Sequence, residues 1–147
     1  MLPNLQVVPM REFDTVAAGT AVLGIVDTKG YDFAKICYIT CKSTGASSQD
    51  ACNLAEDDTL PTAFTDATEI DGCDGTADFT LVAESTSYSN VYTYNVDLRG
   101  RKRYLALTYE SDMTHYGCAV AILGRKVDGA EETQATSAHG TRNIVNV

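Results

Sequence analysis

Short runs of alternating apolar and polar residues, separated by turn residues, dominate the chain. The clearest runs are Thr20–Asp27, Phe33–Lys42, Asp78–Thr86, Asn90–Leu98, Arg103–Glu110 and Tyr116–Arg125. Alternation with a period of two, bounded by Gly, Asp, Asn or Ser, is typical of strands rather than helices. No β–α–β rhythm is visible. The pattern therefore predicts an all-β fold, an antiparallel β-sandwich or jelly-roll-like barrel.

One predicted strand, Phe33–Lys42, is apolar on both of its faces. Successive side chains of a strand point to opposite faces, so alternate residues form two sets. The two sets are Ala34, Ile36 and Tyr38 on one face, and Cys37, Ile39 and Cys41 on the other. A strand of this kind is expected to be covered on both sides.

The segment Asp50–Gly75 has the least decisive pattern. Ala51, Leu54 and Ala55 are spaced as on a helix, yet an apolar run this short also fits a strand. We favour the strand, with Pro61 and the two Asp-Gly steps punctuating the residues that follow.

The two ends of the chain differ from its middle. Residues 1–14 are predicted to be irregular apart from a short apolar piece, and a polar stretch precedes the apolar tip 143–147. Arms of this kind bind a neighbouring subunit by adding a strand to it. The predicted domains are an N-terminal arm (1–19), a β-sandwich (20–127) and a C-terminal arm (128–147).

Composition limits the function classes. The 147 residues suit one domain with a hydrophobic core, and 18 threonines and eight tyrosines favour strands. The formal net charge of −9 argues against nucleic-acid binding, which needs cations to replace the counterions of phosphates. Pro3 and Pro9 interrupt any signal helix, and the apolar run Gly117–Gly124 is too short for a membrane span. We therefore expect neither nucleic acid nor membrane as a partner.

Residues with catalytic or metal-binding chemistry are few. The odd number of cysteines, five, predicts reduced thiols that act as small hydrophobic side chains. His115 and His139 are predicted to lie at the surface without a function. The acidic segment Glu69–Gly75 lacks the spacing of a calcium-binding EF-hand loop, and no nucleophile-elbow, phosphate-loop or paired-cysteine motif occurs. The sequence thus predicts no enzyme, no cofactor and no metal.

Four cations lie within five residues, at Arg99, Arg101, Lys102 and Arg103. Such a cluster could bind phosphate. The negative total charge instead favours a hairpin tip that faces solvent or forms ion pairs, either within the chain or with an acidic neighbour.

Several segments carry a resemblance to a known family. They are DTKGYDFAKICYIT, NLAEDD, FTDAT, NVYTYNVDLRGRKRYLAL and GCAVAILGR, which together extend from Asp27 to Arg125. They resemble small structural proteins encoded near the head genes of tailed bacteriophages. The resemblance implies a β-rich capsid decoration (cement) protein, made in the host cytoplasm and located on the virion surface. Its implied partners are the major capsid protein and copies of itself, as a dimer or trimer.

A subunit interface follows from the arms and the basic cluster. The predicted interface residues are Leu5, Val7, Val8, Arg99, Arg101, Lys102, Arg103, Ile144, Val145 and Val147. The alternative is a carbohydrate- or receptor-binding sandwich of a tail or fibre, or another head–tail component, because tyrosine rings can stack on sugars. The absence of Trp counts against sugar binding, and Tyr92, Tyr94, Tyr104 and Tyr109 have the positions of strand residues that pack in a core.

Overall fold

A computed structural model describes residues 5–45, 49–125 and 141–146, with the backbone alone for Gln49 and for 141–146. Strands account for most of these residues. They are β1 (Leu5–Val16), β2 (Val22–Asp27), β3 (Phe33–Thr40), β4 (Gln49–Asp57), β5 (Thr68–Glu69), β6 (Asn90–Asp97), β7 (Tyr104–Ser111), β8 (His115–Gly124) and β9 (Thr141–Asn146). One 3-10 turn, Phe64–Asp66, precedes β5.

The strands form two sheets that pack face to face. One sheet has five strands in the order β1-β8-β3-β6-β9, and the other has four in the order β2-β7-β4-β5. Neighbouring strands are antiparallel except β6 and β9, which run parallel. The predicted all-β sandwich is confirmed.

The core lies between the two sheets because each central strand turns one set of alternate side chains inward. The five-stranded sheet contributes Ile36, Tyr38, Tyr92, Tyr94, Ala121 and Leu123, and the four-stranded sheet contributes Val26, Leu54, Leu105, Leu107 and Tyr109. Their burial removes apolar surface from water, which is the main favourable contribution to folding.

Tyrosine rings form the centre of this core. The rings of Tyr38 and Tyr109 stack at 4.1 Å, and Tyr92 lies 5.7 Å from Tyr109. Each buried hydroxyl has a polar partner; that of Tyr94, for example, donates to the carbonyl oxygen of Cys52. Burial raises the pKa of Tyr38, Tyr94 and Tyr109, so these hydroxyls keep their protons and remain donors.

The prediction of a strand at Asp78–Thr86 is wrong. This segment is irregular, and it closes one side of the sandwich: Phe79 and Leu81 pack against the core while Glu84 is buried. The segment is held by single hydrogen bonds rather than by a strand ladder: the hydroxyl of Tyr92 donates to the carbonyl oxygen of Val82 at 3.0 Å, and the Ser43 N–H donates to the carbonyl oxygen of Ser85 at 3.1 Å. Its sequence alternation therefore reflects a few anchoring contacts.

The N-terminal region also differs from the prediction. Residues from Leu5 onward are not irregular, because β1 pairs with β8 from Leu5 to Val16. Pro9 is tolerated because β1 is an edge strand, and register shifts follow Pro9 and Arg11. The ambiguous segment does form a strand, β4. The described parts of both predicted arms thus belong to the sandwich, and the rest of these arms lies outside the described residues.

Gly117 allows the Tyr38 ring to approach β8, and this close approach generates a prediction. A Cβ at Gly117 would collide with the hydroxyl of Tyr38 and lie 2.8 Å from its Cζ atom. Stacking on Tyr109 restricts the movement of that ring. We expect Gly117→Ala to lower the free energy of unfolding by about 1–3 kcal/mol, measured by denaturant titration.

The Tyr38→Phe background provides the control, because it lacks the hydroxyl that collides. There Gly117→Ala should cost less than in the wild-type chain. Equal costs in both backgrounds would show that the close approach does not explain the glycine.

Candidate interaction surface

The two sheets differ in what covers their outer sides. On the four-stranded sheet, Ala55 and Ala106 are fully buried, and the 3-10 turn packs near β7. On the five-stranded sheet, the outward side chains of β1, β8 and β3 are exposed or half-buried in the described part of the chain, and β6 adds Val91 and three polar residues, Thr93, Asn95 and Asp97, of which Thr93 is buried. We call this surface the outer face: Leu5, Val7, Phe13, Tyr116, Cys118, Val120, Ile122, Phe33, Lys35, Cys37, Ile39 and Val91.

The outer face is apolar and open, most of all along β1. The exposed fractions of Leu5, Val7, Phe13 and Tyr116 are 55%, 65%, 61% and 50%. The rings of Phe13 and Tyr116 stack at 5.8 Å with an interplanar angle of 9°, so part of the face is organised. Lys35 is the one charged side chain that β3 and β8 direct to this side. Contiguous apolar patches of this kind mark binding surfaces.

The five cysteines are all unpaired, and they occupy two environments. Cys37, Cys41 and Cys118 are half-buried and lie on or beside the outer face, whereas Cys52 and Cys73 are fully buried in the core. Burial raises the pKa of the Cys52 and Cys73 thiols to about 12. The core thiols are therefore uncharged near neutral pH and act as small hydrophobic side chains.

The predicted interface residues at the chain ends separate into four groups. Leu5 and Val7 lie exposed on the outer face, while Val8 is half-buried and packs against the core. Ile144 and Val145 belong to β9, whose backbone pairs with β6 of the same chain. Val147 lies outside the described residues. The structure thus places two of the predicted residues on one continuous apolar surface.

The basic cluster forms the connection between β6 and β7, and its arginines pair with carboxylates of the same chain. The pairs are Arg99 with Asp97, Arg101 with Glu56 at 3.7 Å, and Arg103 with Asp27 at 2.6 Å. Lys102 donates from Nζ to the hydroxyl of Thr68 at 3.1 Å. The intramolecular alternative is therefore realised for the three arginines.

The pairing of Arg103 is the best defined of these contacts. Its Nε and Nη2 atoms donate to both carboxylate oxygens of Asp27, and the guanidinium lies 4.9 Å from the Tyr104 ring centre. The hydrogen bonds from Arg103, followed by that from the Lys29 backbone, lower the pKa of Asp27. The contact joins the ends of β2 and β7, so it orders one end of the sandwich.

A cleft of about 350 Å³ opens beside this basic end. Its lining residues are Thr28, Lys29, Gly30, Tyr31, Asp58, Leu98, Arg101, Lys102 and Arg103. Because Arg101 and Arg103 already face carboxylates, Lys29 and Lys102 supply most of the remaining positive charge. The cleft could admit a small anion, but its strongest donors are already engaged.

His115 is not a surface residue, and the prediction for it is wrong. The side chain is 1% exposed at the start of β8, and Nδ1 lies 3.1 Å from the Met113 carbonyl oxygen and 3.5 Å from Oε1 of Glu84. Nδ1 therefore faces two acceptors, and Nε2 forms a hydrogen bond with the Tyr38 hydroxyl at 3.0 Å. The hydroxyl of Tyr109 donates to Oε1 of Glu84 at 3.1 Å.

This cluster, which we call the His115 network, is sealed from solvent. Glu84 is 3% exposed, and its Oε2 atom has no hydrogen-bond partner among the described residues. Because no substrate could touch these groups, the network serves the fold: it fastens the irregular segment 78–86 to β7 and β8. His139, the other histidine, lies outside the described residues.

Four of the eight tyrosines are buried, whereas Tyr88 and Tyr116 are 54% and 50% exposed and remain accessible to a sugar. Tyr92, Tyr94 and Tyr109 are at most 1% exposed, which confirms their predicted place in the core, and Tyr104 is half-buried beside Arg103.

In the described part of the chain, no three His, Cys, Asp or Glu side chains cluster as metal ligands do, and no helix is long and apolar enough to span a membrane. Comparison with family models, curated proteins and solved structures finds no significant match for this chain.

The His115 network generates a second prediction. Glu84→Ala removes the acceptor of the Tyr109 hydroxyl and the carboxylate beside His115, which leaves buried polar groups without partners. We expect a loss of about 1–3 kcal/mol in the free energy of unfolding. Hydrogen exchange should also become faster in segment 78–86.

Two variants serve as controls for this loss. Glu84→Gln keeps an oxygen for Tyr109 and should lose less stability, and Glu12→Ala removes an exposed carboxylate and should change stability little. If Glu84→Ala were as stable as Glu12→Ala, the network would not hold the segment.

Proposed function

We propose that this protein is a structural component of a tailed-bacteriophage head, a capsid decoration protein that binds the major capsid protein through its outer face. The observation that carries the proposal is the open apolar side of the five-stranded sheet, since a sandwich normally exposes a polar side there. Binding to a larger protein surface would bury this face.

The size of the outer face is consistent with such a role. Four strands at about 4.8 Å spacing, with a usable length of about 23 Å, give a patch of roughly 450 Å². This lies within the range of about 300–600 Å² that the largest apolar patch of a typical monomer covers, and such patches are often functional. A standard interface buries about 800 Å² on each partner, so one face alone is a modest contact. Many copies on a lattice would make the combined attachment firm.

The distribution of charge also favours docking through the outer face. The chain has a net charge of −9, but the outward side chains of β3, β8 and β6 include two charges of opposite sign, those of Lys35 and Asp97. Docking through this face therefore removes few charges from water, and the desolvation of charges is the main cost of burying a charged surface. The segments that carry the family resemblance include β3, β6 and β8, the strands that build most of the face.

Particle binding provides the test. Val7→Lys places a charge on the outer face, where the side chain is 65% exposed, so the fold should tolerate it. We expect Val7→Lys to reduce occupancy on heads that lack the wild-type protein by about tenfold or more, measured by co-sedimentation, because burying an unpaired charge is costly.

Leu60→Lys is the matched control. Leu60 is 58% exposed but follows β4 of the other sheet, so this variant should bind like the wild type. Equal loss in both variants, or no loss in Val7→Lys, would contradict the assignment of the face. Failure of the wild-type protein to bind heads, together with specific binding on a glycan array, would instead favour the carbohydrate-binding alternative.

A further inference from the structure

The cleft at the basic end of the sandwich has a fixed shape, because the two turns that form its walls are hydrogen-bonded across their bases. Thr28, in the turn after β2, donates from its N–H and its hydroxyl to the carbonyl oxygen of Arg103, at 2.9 and 2.7 Å. The N–H of Leu98, which follows β6, donates to the carbonyl oxygen of Asp32 at 2.9 Å. A cleft held in this way needs little rearrangement when a ligand enters.

The lining of this cleft is positively charged, although the whole chain is negative. Of its nine residues, Asp58 is an anion and four are cations: Lys29, Arg101, Lys102 and Arg103. Glu56 offsets the charge of Arg101, and its carboxylate lies outside the lining. Asp27 offsets that of Arg103 in the same way. With Asp58 counted as well, one positive charge remains in excess of the carboxylates.

The two lysines provide the donors for a ligand. Lys29 is exposed in the turn after β2, and within the described chain no residue accepts a hydrogen bond from its ammonium group. Lys102 donates one hydrogen bond from Nζ, to the hydroxyl of Thr68 at 3.1 Å. An ammonium group has three donors, so two of those on Lys102 remain. The cleft therefore combines an excess positive charge with donors that folding has not used.

These donors suit a small phosphate anion better than a carboxylate or a nucleic acid. Lysine binds phosphate as a point charge, whereas planar carboxylates are matched best by arginine, and the arginines here already have partners. A long polyanion would extend beyond the cleft, where the exposed carboxylates of Asp27 and Asp97 and the net charge of −9 oppose it.

We propose that this cleft binds inorganic phosphate, held mainly by the ammonium groups of Lys29 and Lys102. Because Lys29 is exposed and the arginines are engaged, the affinity is modest, with a Kd on the order of 1 mM. The cleft lies at one end of the sandwich and shares no residue with the outer face. The inference is therefore independent of binding to a viral head.

An NMR titration of the full-length, isotope-labelled protein with inorganic phosphate tests the site. Ionic strength is kept constant with sodium chloride near neutral pH. We expect saturable shifts of the amide signals of residues 28–31 and 98–103. Shifts that rise linearly with phosphate, or that are equally large around the exposed Lys42, would overturn the proposal, because they indicate general screening of charge.

Lys29→Gln and Arg99→Gln form a matched pair of variants. Each removes one exposed cation, but Lys29 lines the cleft and Arg99, a member of the same basic cluster, does not. We expect Lys29→Gln to raise the Kd for phosphate about threefold or more, whereas Arg99→Gln should bind like the wild type. Both positions are exposed, so the spectrum outside the cleft should show an intact fold. Equal Kd values for the two variants would overturn the site.

A short single-stranded DNA distinguishes a phosphate site from a nucleic-acid site. At the same ionic strength, we expect it to bind no more tightly than inorganic phosphate, because its remaining phosphates meet the acidic surroundings of the cleft. Tighter binding of the DNA, with amide shifts that extend beyond the two turns, would overturn the assignment to a small anion.

Discussion

The organising constraint of this protein is that two central strands of the five-stranded sheet, β3 and β8, are largely apolar on both faces, while the sandwich covers only one. In β3, the set Ala34, Ile36 and Tyr38 enters the core, and the opposite set, which includes Cys37 and Ile39, remains half-exposed. Removing apolar surface from water is favourable by about 25 cal/mol per Å². Binding of another protein to the outer face would therefore be favourable, because it would remove from water the apolar surface that stays exposed after folding.

The core and the His115 network hold the five-stranded sheet, and with it the outer face, in one conformation. Stacked tyrosines hold the two sheets together, and Glu84 with His115 fastens the irregular segment to the strand ends. At the opposite end, Arg103 and Asp27 join β2 to β7. Fixed in this way, the sheet can present Val7 and its neighbours without first paying the conformational entropy of ordering a flexible surface.

Much of the fold could be predicted from the sequence, and the failures have physical reasons. The period of two in β3, β6, β7 and β8 identified these strands because tertiary packing follows the same alternation. Segment 78–86 has that alternation too, but only single side chains such as Phe79 and Leu81 contact the core. The backbone of the segment forms no ladder of hydrogen bonds with a neighbouring strand. β1 was missed because Pro9 and a charged stretch resemble a loop; as an edge strand, it tolerates both. His115 was misplaced because its partner Glu84 is 31 residues away in the sequence, and single-sequence patterns contain no signal for such a contact.

The native thiols offer the most direct test of the claim that the outer face is a docking surface. Free and particle-bound protein would be treated with a maleimide and analysed by mass spectrometry, with Cys52 and Cys73 as buried internal controls. If the outer face docks onto the particle, Cys37, Cys41 and Cys118 react in the free protein and become protected on the particle, while the two core thiols stay unmodified in both states. Equal modification of the three outer thiols in bound and free protein would contradict it.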